Sequence, residues 1–223
     1  MGHDKLRKFA ENETFSCLLQ PDCNELLSEG FFNLKDHPVK GHWFESRKAP
    51  LVLELGCGKG EYTIDLAQRN PDKNYIGVDI KGARLWRGAK TAYEEDMKQV
   101  AFIRTRIEMI DQFFAENEVD EIWVTFPDPQ PKKPLKRLTS PRFLAYYKKF
   151  LKPNSLIHLK TDSQELFAYT LEEVVTPAGY QVEVATTDLY ASDYTGEATA
   201  VQTFYESGYL KEGRPITYLR FRI

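Results

Sequence analysis

A chain of 223 residues with a formal net charge of −3 is long enough to bury a hydrophobic core without disulfide or metal staples. Apolar residues make up 42% and charged residues 28%, a balance that excludes disordered and fibrous proteins. No apolar run approaches the roughly 18 residues of a membrane span, and the charged N-terminus is unlike a signal peptide, so we expect a cytoplasmic protein with no membrane partner.

Residues 1–49 come before any regular pattern and include Phe31, Phe32, Trp43 and Phe44. We interpret them as an N-terminal extension packed on a single domain that spans residues 50–223. From residue 50 onward, short β-rich runs alternate with amphipathic segments. The predicted strands are 51–55, 75–80, 100–105, 121–126, 155–161, 180–188 and 215–223. The predicted helices are 60–69, 82–97, 107–117, 140–150 and 163–176.

This alternation predicts an α/β fold in which helices cover both faces of a mostly parallel, seven-stranded sheet. It stops after residue 176. The segment 190–214 is too irregular for a crossover helix, so the last two strands are expected to pair antiparallel at one edge of the sheet.

The first motif is a glycine loop that follows a strand and opens a helix, the place where open α/β sheets bind ligands. It reads Glu54-x-Gly56-x-Gly58-x-Gly60. A dinucleotide fingerprint would need its third glycine one residue later, and Glu54 would repel a pyrophosphate. A carboxylate here suits the ammonium and sulfonium of S-adenosylmethionine instead. Asp79 ends the next strand, where a carboxylate can accept hydrogen bonds from ribose hydroxyls.

These two motifs resemble the cofactor motifs of the Rossmann-like class I methyltransferases. The alternative is that Glu54 and Asp79 only cap neighbouring segments. Cys57 has no histidine close to it in sequence and is interpreted as a small structural residue. Neither the cysteines nor the histidines show metal-ligand spacing, so no metal is expected.

The second motif, Thr125-Phe126-Pro127-Asp128-Pro129, ends the fourth predicted strand beside the cofactor loop. Its prolines restrict the backbone around Asp128. A basic island follows: residues 131–152 hold eight basic residues and no acidic one, which leaves the rest of the chain at −11. Such an island suits local phosphate binding, although a solvated helix face is the plain alternative. Arg84, Arg87 and Lys90 form a second cluster open to the same two interpretations.

In combination, these motifs resemble the bacterial tRNA (guanine-N7)-methyltransferase family. The residues that carry the resemblance are the Asp128 motif with Lys132 four residues later, Thr161-Asp162, and Thr203-Phe204-Tyr205-Glu206. Gln130 stands where the family usually has Trp, and the N-terminus resembles the family only loosely. The segment 105–108 lacks the family's usual Asp or Asn near the adenine.

The resemblance implies methyl transfer from S-adenosylmethionine to N7 of a guanosine in the tRNA variable loop. It implies no obligate protein partner. Asp128 is implied as the catalytic residue. Cofactor binding is expected at Glu54, Gly56, Gly58, Gly60, Asp79, Arg106, Glu108 and Asp128. Substrate binding is expected at Lys132, Lys133, Asp162, Thr203 and Glu206.

Attack by the N7 lone pair needs no strong general base, because no proton leaves that nitrogen. Catalysis should come from alignment and from a carboxylate that stabilises positive charge developing on the guanine. Asp128, Asp162 and Glu206 all qualify on this ground. Three alternatives remain: a small-molecule methyltransferase, a nicotinamide-dependent oxidoreductase, and a non-catalytic RNA-binding module.

Overall fold

The computed structural model describes residues 2–27 and 34–223, so Phe31 and Phe32 lie outside the described residues. Eight strands form one sheet. They are β1 (Leu18–Leu19), β2 (Leu51–Leu55), β3 (Asn74–Asp79), β4 (Val100–Arg104), β5 (Val119–Thr125), β6 (Leu151–Thr161), β7 (Gln181–Thr186) and β8 (Thr217–Arg222).

Helices lie on both sides of this sheet. They are α1 (Gly2–Asn12), α2 (Glu61–Arg69), α3 (Gly82–Glu94), α4 (Pro141–Tyr147), α5 (Gln164–Ala168), α6 (Glu197–Ala200) and α7 (Phe204–Lys211). Three short 3₁₀ turns occur at Cys23–Leu26, Ile107–Gln112 and Pro134–Lys136, and a π-helical turn, Tyr169–Val175, continues α5. In the described part of the chain, no helix is long and apolar enough to cross a membrane.

The strand order is β1-β4-β3-β2-β5-β6-β8-β7. All neighbouring strands run parallel except at β8, which pairs antiparallel with β6 on one side and β7 on the other. The predicted α/β class and the antiparallel pairing of the last two strands are confirmed. The predicted count of seven strands is wrong, because β1 adds an eighth through two residues that carry no sequence pattern.

Side chains alternate between two hydrophobic clusters, one on each face of the sheet. On β2, Leu51, Leu53 and Leu55 belong to one cluster and Val52 to the other. Both faces are buried, as expected for a central parallel strand. Small residues bring α3 close to the sheet: a Cβ at Gly88 would lie 2.6 Å from the Phe102 ring.

The N-terminal segment contacts the rest of the chain at several points. Asn12 Nδ2 donates to the Gly82 carbonyl at the start of α3 over 3.0 Å. Trp86 Nε1, also on α3, donates to Glu11 over 2.7 Å. Farther along, Trp43 Nε1 donates to the Phe113 carbonyl over 2.9 Å.

The segment 190–214 is more regular than the sequence indicates. It contains α6 and α7, so the expectation of an irregular loop is wrong. The start of α7 is a capping box, in which Thr203 accepts from the backbone N–H of Glu206 and Glu206 accepts from that of Thr203. This Thr-x-x-Glu spacing is a known signature of a helix start, and it is the one local signal from which α7 could have been predicted. The helix predicted at 107–117 is instead the shorter 3₁₀ turn.

Candidate active site

Two neighbouring clefts open at the carboxyl ends of the strands, where the chain order reverses between β2 and β5. This is the usual ligand position in open α/β sheets. The first cleft has a volume of about 290 Å³ and the second about 310 Å³. Gly56 lines both, so one elongated ligand can occupy the two clefts across the glycine loop.

The glycine loop needs its glycines for two different reasons. Gly58 has φ +58°, and a Cβ there would meet no atom within 4 Å, so the loop leaves open space on that side. Gly60 has φ +71°, and its Cβ would lie 2.5 Å from the Phe102 ring. Gly58 therefore faces ligand space, whereas Gly60 is required by packing and lines neither cleft.

Glu54 is buried at the floor of the first cleft. Its carboxylate accepts from the Thr63 N–H over 2.8 Å, from the Thr63 hydroxyl, and from the Thr125 hydroxyl over 2.6 Å. Burial raises the pKa of Glu54 to about 7, and the hydrogen bonds from both threonines only partly oppose that rise. Glu54 thus also caps the start of α2, because Thr63 lies in the first turn of that helix. The alternative that Glu54 caps a neighbouring segment is correct to this extent.

Asp79 holds the glycine loop from the next strand. One carboxylate oxygen accepts from the Gly58 N–H over 3.0 Å, and the other accepts from the Lys81 N–H over 2.7 Å. Each oxygen keeps a second lone pair for a ligand hydroxyl. Asp79 lines the second cleft together with Arg106 and Glu108, and the cofactor binding expected of these three residues stays a prediction.

The two clefts differ in chemistry in a way that fits S-adenosylmethionine. The first carries the carboxylates of Glu54 and Glu61 beside the cations of Lys59 and Arg84, which suits a zwitterionic amino-acid group. The second combines Asp79 with apolar walls, which suits a ribose and a purine. These walls are formed by Ile80, Ile107, Leu138 and Phe143.

Asp128 lies on the loop that joins the two clefts. Phe126 lines the first cleft and Gln130 the second, so Asp128 is midway between them in sequence. Its carboxylate accepts from the Gln130 N–H over 3.1 Å, and Phe126 and Gln130 both have positive φ, at +46° and +45°. The loop therefore holds an exposed carboxylate in a restricted backbone conformation.

Arg137 holds the loop of Asp128 in place. Its Nε donates to the Pro129 carbonyl over 2.9 Å, its other end pairs with Glu165 at the start of α5, and the guanidinium stacks on Tyr169 at 4.3 Å. Arg137 is one of the eight basic residues of the island, but it is not available to bind phosphate, because its side chain is only 4% exposed and is held by these protein groups.

The rest of the basic island divides into free and paired cations. Lys149 pairs with Asp111 and Lys152 with Asp120, each at 2.6 Å. The remaining five have no acidic partner within 4.0 Å in the described residues: Lys132, Lys133, Lys136, Arg142 and Lys148. Lys136 also lines the second cleft, so the free cations begin at the edge of the site.

The three remaining substrate candidates differ in their exposure and in their contacts. Thr203 lines the first cleft. Asp162, at the end of β6, is partly exposed with Arg214 at 3.7 Å. Glu206 is wholly buried and pairs at 2.6 Å with Lys160, which is also wholly buried. The predicted nucleotide contacts of Asp162, Thr203 and Glu206 stay predictions.

Lys160 is the main residue that sequence reasoning missed. Its ammonium donates to Glu206 and to the carbonyls of Ala198 (2.6 Å) and Val201 (2.9 Å), which uses all three N–H groups. Burial lowers the pKa of Lys160, and Glu206 opposes that shift. The bonds tie α6 and α7 to β6, and thereby position Tyr205 and Tyr209, which line the first cleft. No short motif signals such a pair.

Cys57 is buried in the glycine loop, and burial raises the pKa of its thiol, as expected for a structural residue. In residues 2–27 and 34–223, no three His, Cys, Asp or Glu side chains gather in an arrangement that could hold a metal ion.

Comparison with known proteins gives concordant matches. A family model with the description "Putative methyltransferase" matches residues 48–219. The tRNA (guanine-N(7)-)-methyltransferase of Christiangramia forsetii is 52% identical over 99% of this chain and 98% of its own. The protein of the same name from Bacteroides fragilis is 47% identical over 99% of this chain and 86% of its own.

Solved structures match at much lower identity. The 16S rRNA methyltransferase KamB is 15% identical with a TM-score of 0.62, covering 85% of this chain and 94% of that one. An S-adenosylmethionine-dependent methyltransferase from Aquifex aeolicus is 16% identical with a TM-score of 0.55, covering 81% and 85%. These likenesses concern the fold alone, and they confirm the predicted methyltransferase fold.

Proposed function

The chain belongs to the tRNA (guanine-N7)-methyltransferase family, and from this premise we propose that it methylates N7 of a guanosine in the variable loop of tRNA. The methyl donor is S-adenosylmethionine, which when bound supplies a methyl group activated on a sulfonium. The observation that supports the proposal is the loop of Asp128, whose neighbours Phe126 and Gln130 line the two donor clefts and which leads directly into the free cations of the basic island.

The residues of the chain supply orientation and electrostatics. Glu54 and the glycine loop hold the amino-acid end of the donor, and Asp79 holds its ribose. Asp128 accepts hydrogen bonds from the guanine and stabilises the positive charge that develops on its ring. Lys132 and Lys133 bind phosphates and set the position of the loop that presents the guanine.

The catalytic unit in this proposal is a single domain over residues 50–223, with residues 1–49 as an extension packed on it. The contacts of α1 with α3 and the pairing of β1 with β4 support that arrangement. The protein acts in the cytoplasm, where tRNA is modified, and needs no obligate protein partner.

The direct test is methyl transfer from labelled S-adenosylmethionine to unmodified tRNA. The product is mapped by the backbone cleavage that follows reduction of 7-methylguanosine. Label at one variable-loop guanosine supports the proposal. Label at another position keeps the enzyme class and contradicts the target. No transfer, with donor binding intact, favours a small-molecule methyltransferase.

The variant Asp128→Ala tests the proposed catalytic role of this residue. We expect turnover to fall at least about 100-fold, as when one electrostatic group of an active site is removed. Affinities for donor and tRNA should stay within a few-fold, because among the described residues the side chain bonds only to its own loop and its removal leaves the donor clefts and the basic island in place. Isothermal calorimetry and single-turnover kinetics separate these quantities. Loss of both affinities would mean that Asp128 is structural.

A further inference from the structure

A second basic surface, made by the N-terminal helix, lies beside the donor clefts. A groove of about 460 Å³ is lined by Phe9, Ile80 and Ala83 and bordered by cations of α1, α3 and β4. The cations are Lys5, Lys81, Arg84 and Arg104, and we call this set the α1 patch. Ile80 also lines the second cleft and Arg84 the first, so the groove is continuous with the site.

The charges of the α1 patch are free. None of its four cations has an acidic partner within 4.0 Å among the described residues, and Lys5, Lys81, Arg84 and Arg104 are all exposed. The nearest acidic residue on α1, Asp4, is already paired with Arg7 at 2.8 Å and Lys8 at 2.9 Å. By contrast, Lys90 of the cluster predicted from the sequence pairs with Glu11 and Glu94, so it does not belong to this surface.

We propose that the α1 patch is a second phosphate-binding surface for RNA, on the opposite side of the active site from the basic island. The inference rests on the proposed function. Cations at the border fit phosphates, and the Phe9 ring on the groove wall offers an apolar face to a base or ribose. Arg104 lies 5.0 Å from the centre of the Phe9 ring, so α1 and β4 form one continuous border.

Position explains why two surfaces are needed. Lys136 borders the second cleft from the island side, and Ile80 borders it from the α1 side. An RNA strand whose guanosine enters between them has phosphates running in both directions. Free cations on one side alone would leave one arm of the RNA unbound, whereas both together fix its direction across the site.

The test compares two variants with equal loss of charge. Lys5→Ala/Lys81→Ala removes two exposed lysines of the α1 patch that make no ion pair in the described residues. Lys48→Ala/Lys98→Ala removes two exposed lysines at the amino ends of β2 and β4, of which Lys98 pairs with Asp96. Binding of unmodified tRNA is measured by filter retention from 50 to 300 mM salt, and donor affinity by calorimetry.

For the α1 variant we expect about tenfold weaker tRNA binding near 0.1 M salt and a log–log salt slope reduced by about one to two. Donor affinity and turnover at saturating tRNA should stay unchanged. The control variant should bind like wild type. Equal tRNA affinities and salt slopes in the two variants would overturn the proposal that the α1 patch binds RNA and would leave the proposed function intact. Failure of the wild type itself to bind tRNA would overturn both.

Discussion

Glu54 is proposed to bind the donor through its negative charge, yet it is buried where that charge is unfavourable. Burial raises its pKa to about 7, so the carboxyl is about half protonated near neutral pH in the free protein. Because the folded-state pKa lies above the ordinary value of 4.5, this group makes the free fold less stable as the pH rises from about 4.5 to 7. A bound ammonium favours the charged form and reverses that penalty.

Donor affinity should therefore depend on pH through Glu54. Between pH 7.5 and pH 6.0 we expect the Kd of S-adenosylmethionine to rise by up to about tenfold, with proton release on binding at the lower pH. Calorimetry in buffers of different ionisation enthalpy measures both quantities. Glu54→Gln is the control, since it keeps the shape and shows only the ligand's own titration. A wild-type pH profile parallel to that of Glu54→Gln would contradict the assignment.

Among the elements, the helices α6 and α7 are joined to β6 by one buried ion pair. Lys160 and Glu206 are both 0% exposed, and Tyr190 donates a further 2.6 Å hydrogen bond to Glu206. A single substitution leaves an unpaired buried charge, which typically costs about 3–5 kcal/mol. The wall of the first cleft should then lose its position together with the helices.

We expect Lys160→Met and Glu206→Gln each to lower the free energy of unfolding by about 3–5 kcal/mol. The double variant should lose at least about 2 kcal/mol less than the sum of the singles, because neither charge is left alone. Urea denaturation of all four proteins gives the coupling. The recovery should be incomplete, since the carbonyls of Ala198 and Val201 still lack their donor. Additive losses would rule out this pair as the anchor.

The glycine loop offers a second prediction at the scale of one element. Gly60→Ala should destabilise the fold by about 2–5 kcal/mol, from left-handed backbone strain plus overlap with Phe102. Gly58→Ala should cost only the strain, about 1–2 kcal/mol, because no protein atom lies near its Cβ.

For donor binding we expect the larger effect from Gly58→Ala and the smaller one from Gly60→Ala. Gly58→Ala places a methyl group in the ligand space and should weaken the Kd of S-adenosylmethionine at least about tenfold. The pair is compared by urea denaturation and by calorimetry at a temperature where Gly60→Ala remains folded. Unchanged donor binding in Gly58→Ala would show that the open space beside this residue is not used by the ligand.

Over the whole molecule, charge is segregated: a chain of net charge −3 presents free cations on both sides of one site. Lys132→Ala/Lys133→Ala should weaken tRNA binding and reduce its log–log salt slope by about 0.7–0.9 for each phosphate that the variant no longer neutralises. Lys149→Ala/Lys152→Ala is the matched control from the same island, because both lysines pair with aspartates. Equal slopes in the two variants would exclude Lys132 and Lys133 as phosphate-binding residues.

The sequence predicts most of the central sheet and only part of the site. Strands β2 to β5 are apolar runs buried on both faces, and Glu54 to Gly60 is a contiguous motif, so both are visible in a local window. β1 is too short to show a pattern. The Arg137–Glu165 and Lys160–Glu206 pairs join residues far apart in the chain, so only the folded topology brings them together. The same holds for the α1 patch, whose members come from three elements.

The strand order has a consequence for synthesis on the ribosome. In the described part of the chain, β7 pairs with β8 alone, and β8 lies between β7 and β6. When residues 181–186 leave the exit tunnel, their hydrogen-bonding partner is still inside the ribosome, and β6 still presents an open edge. The nascent chain therefore carries two unpaired strand edges until residue 217 and those after it emerge. A delay between these points would prolong the exposure of these edges to aggregation or to chaperone capture.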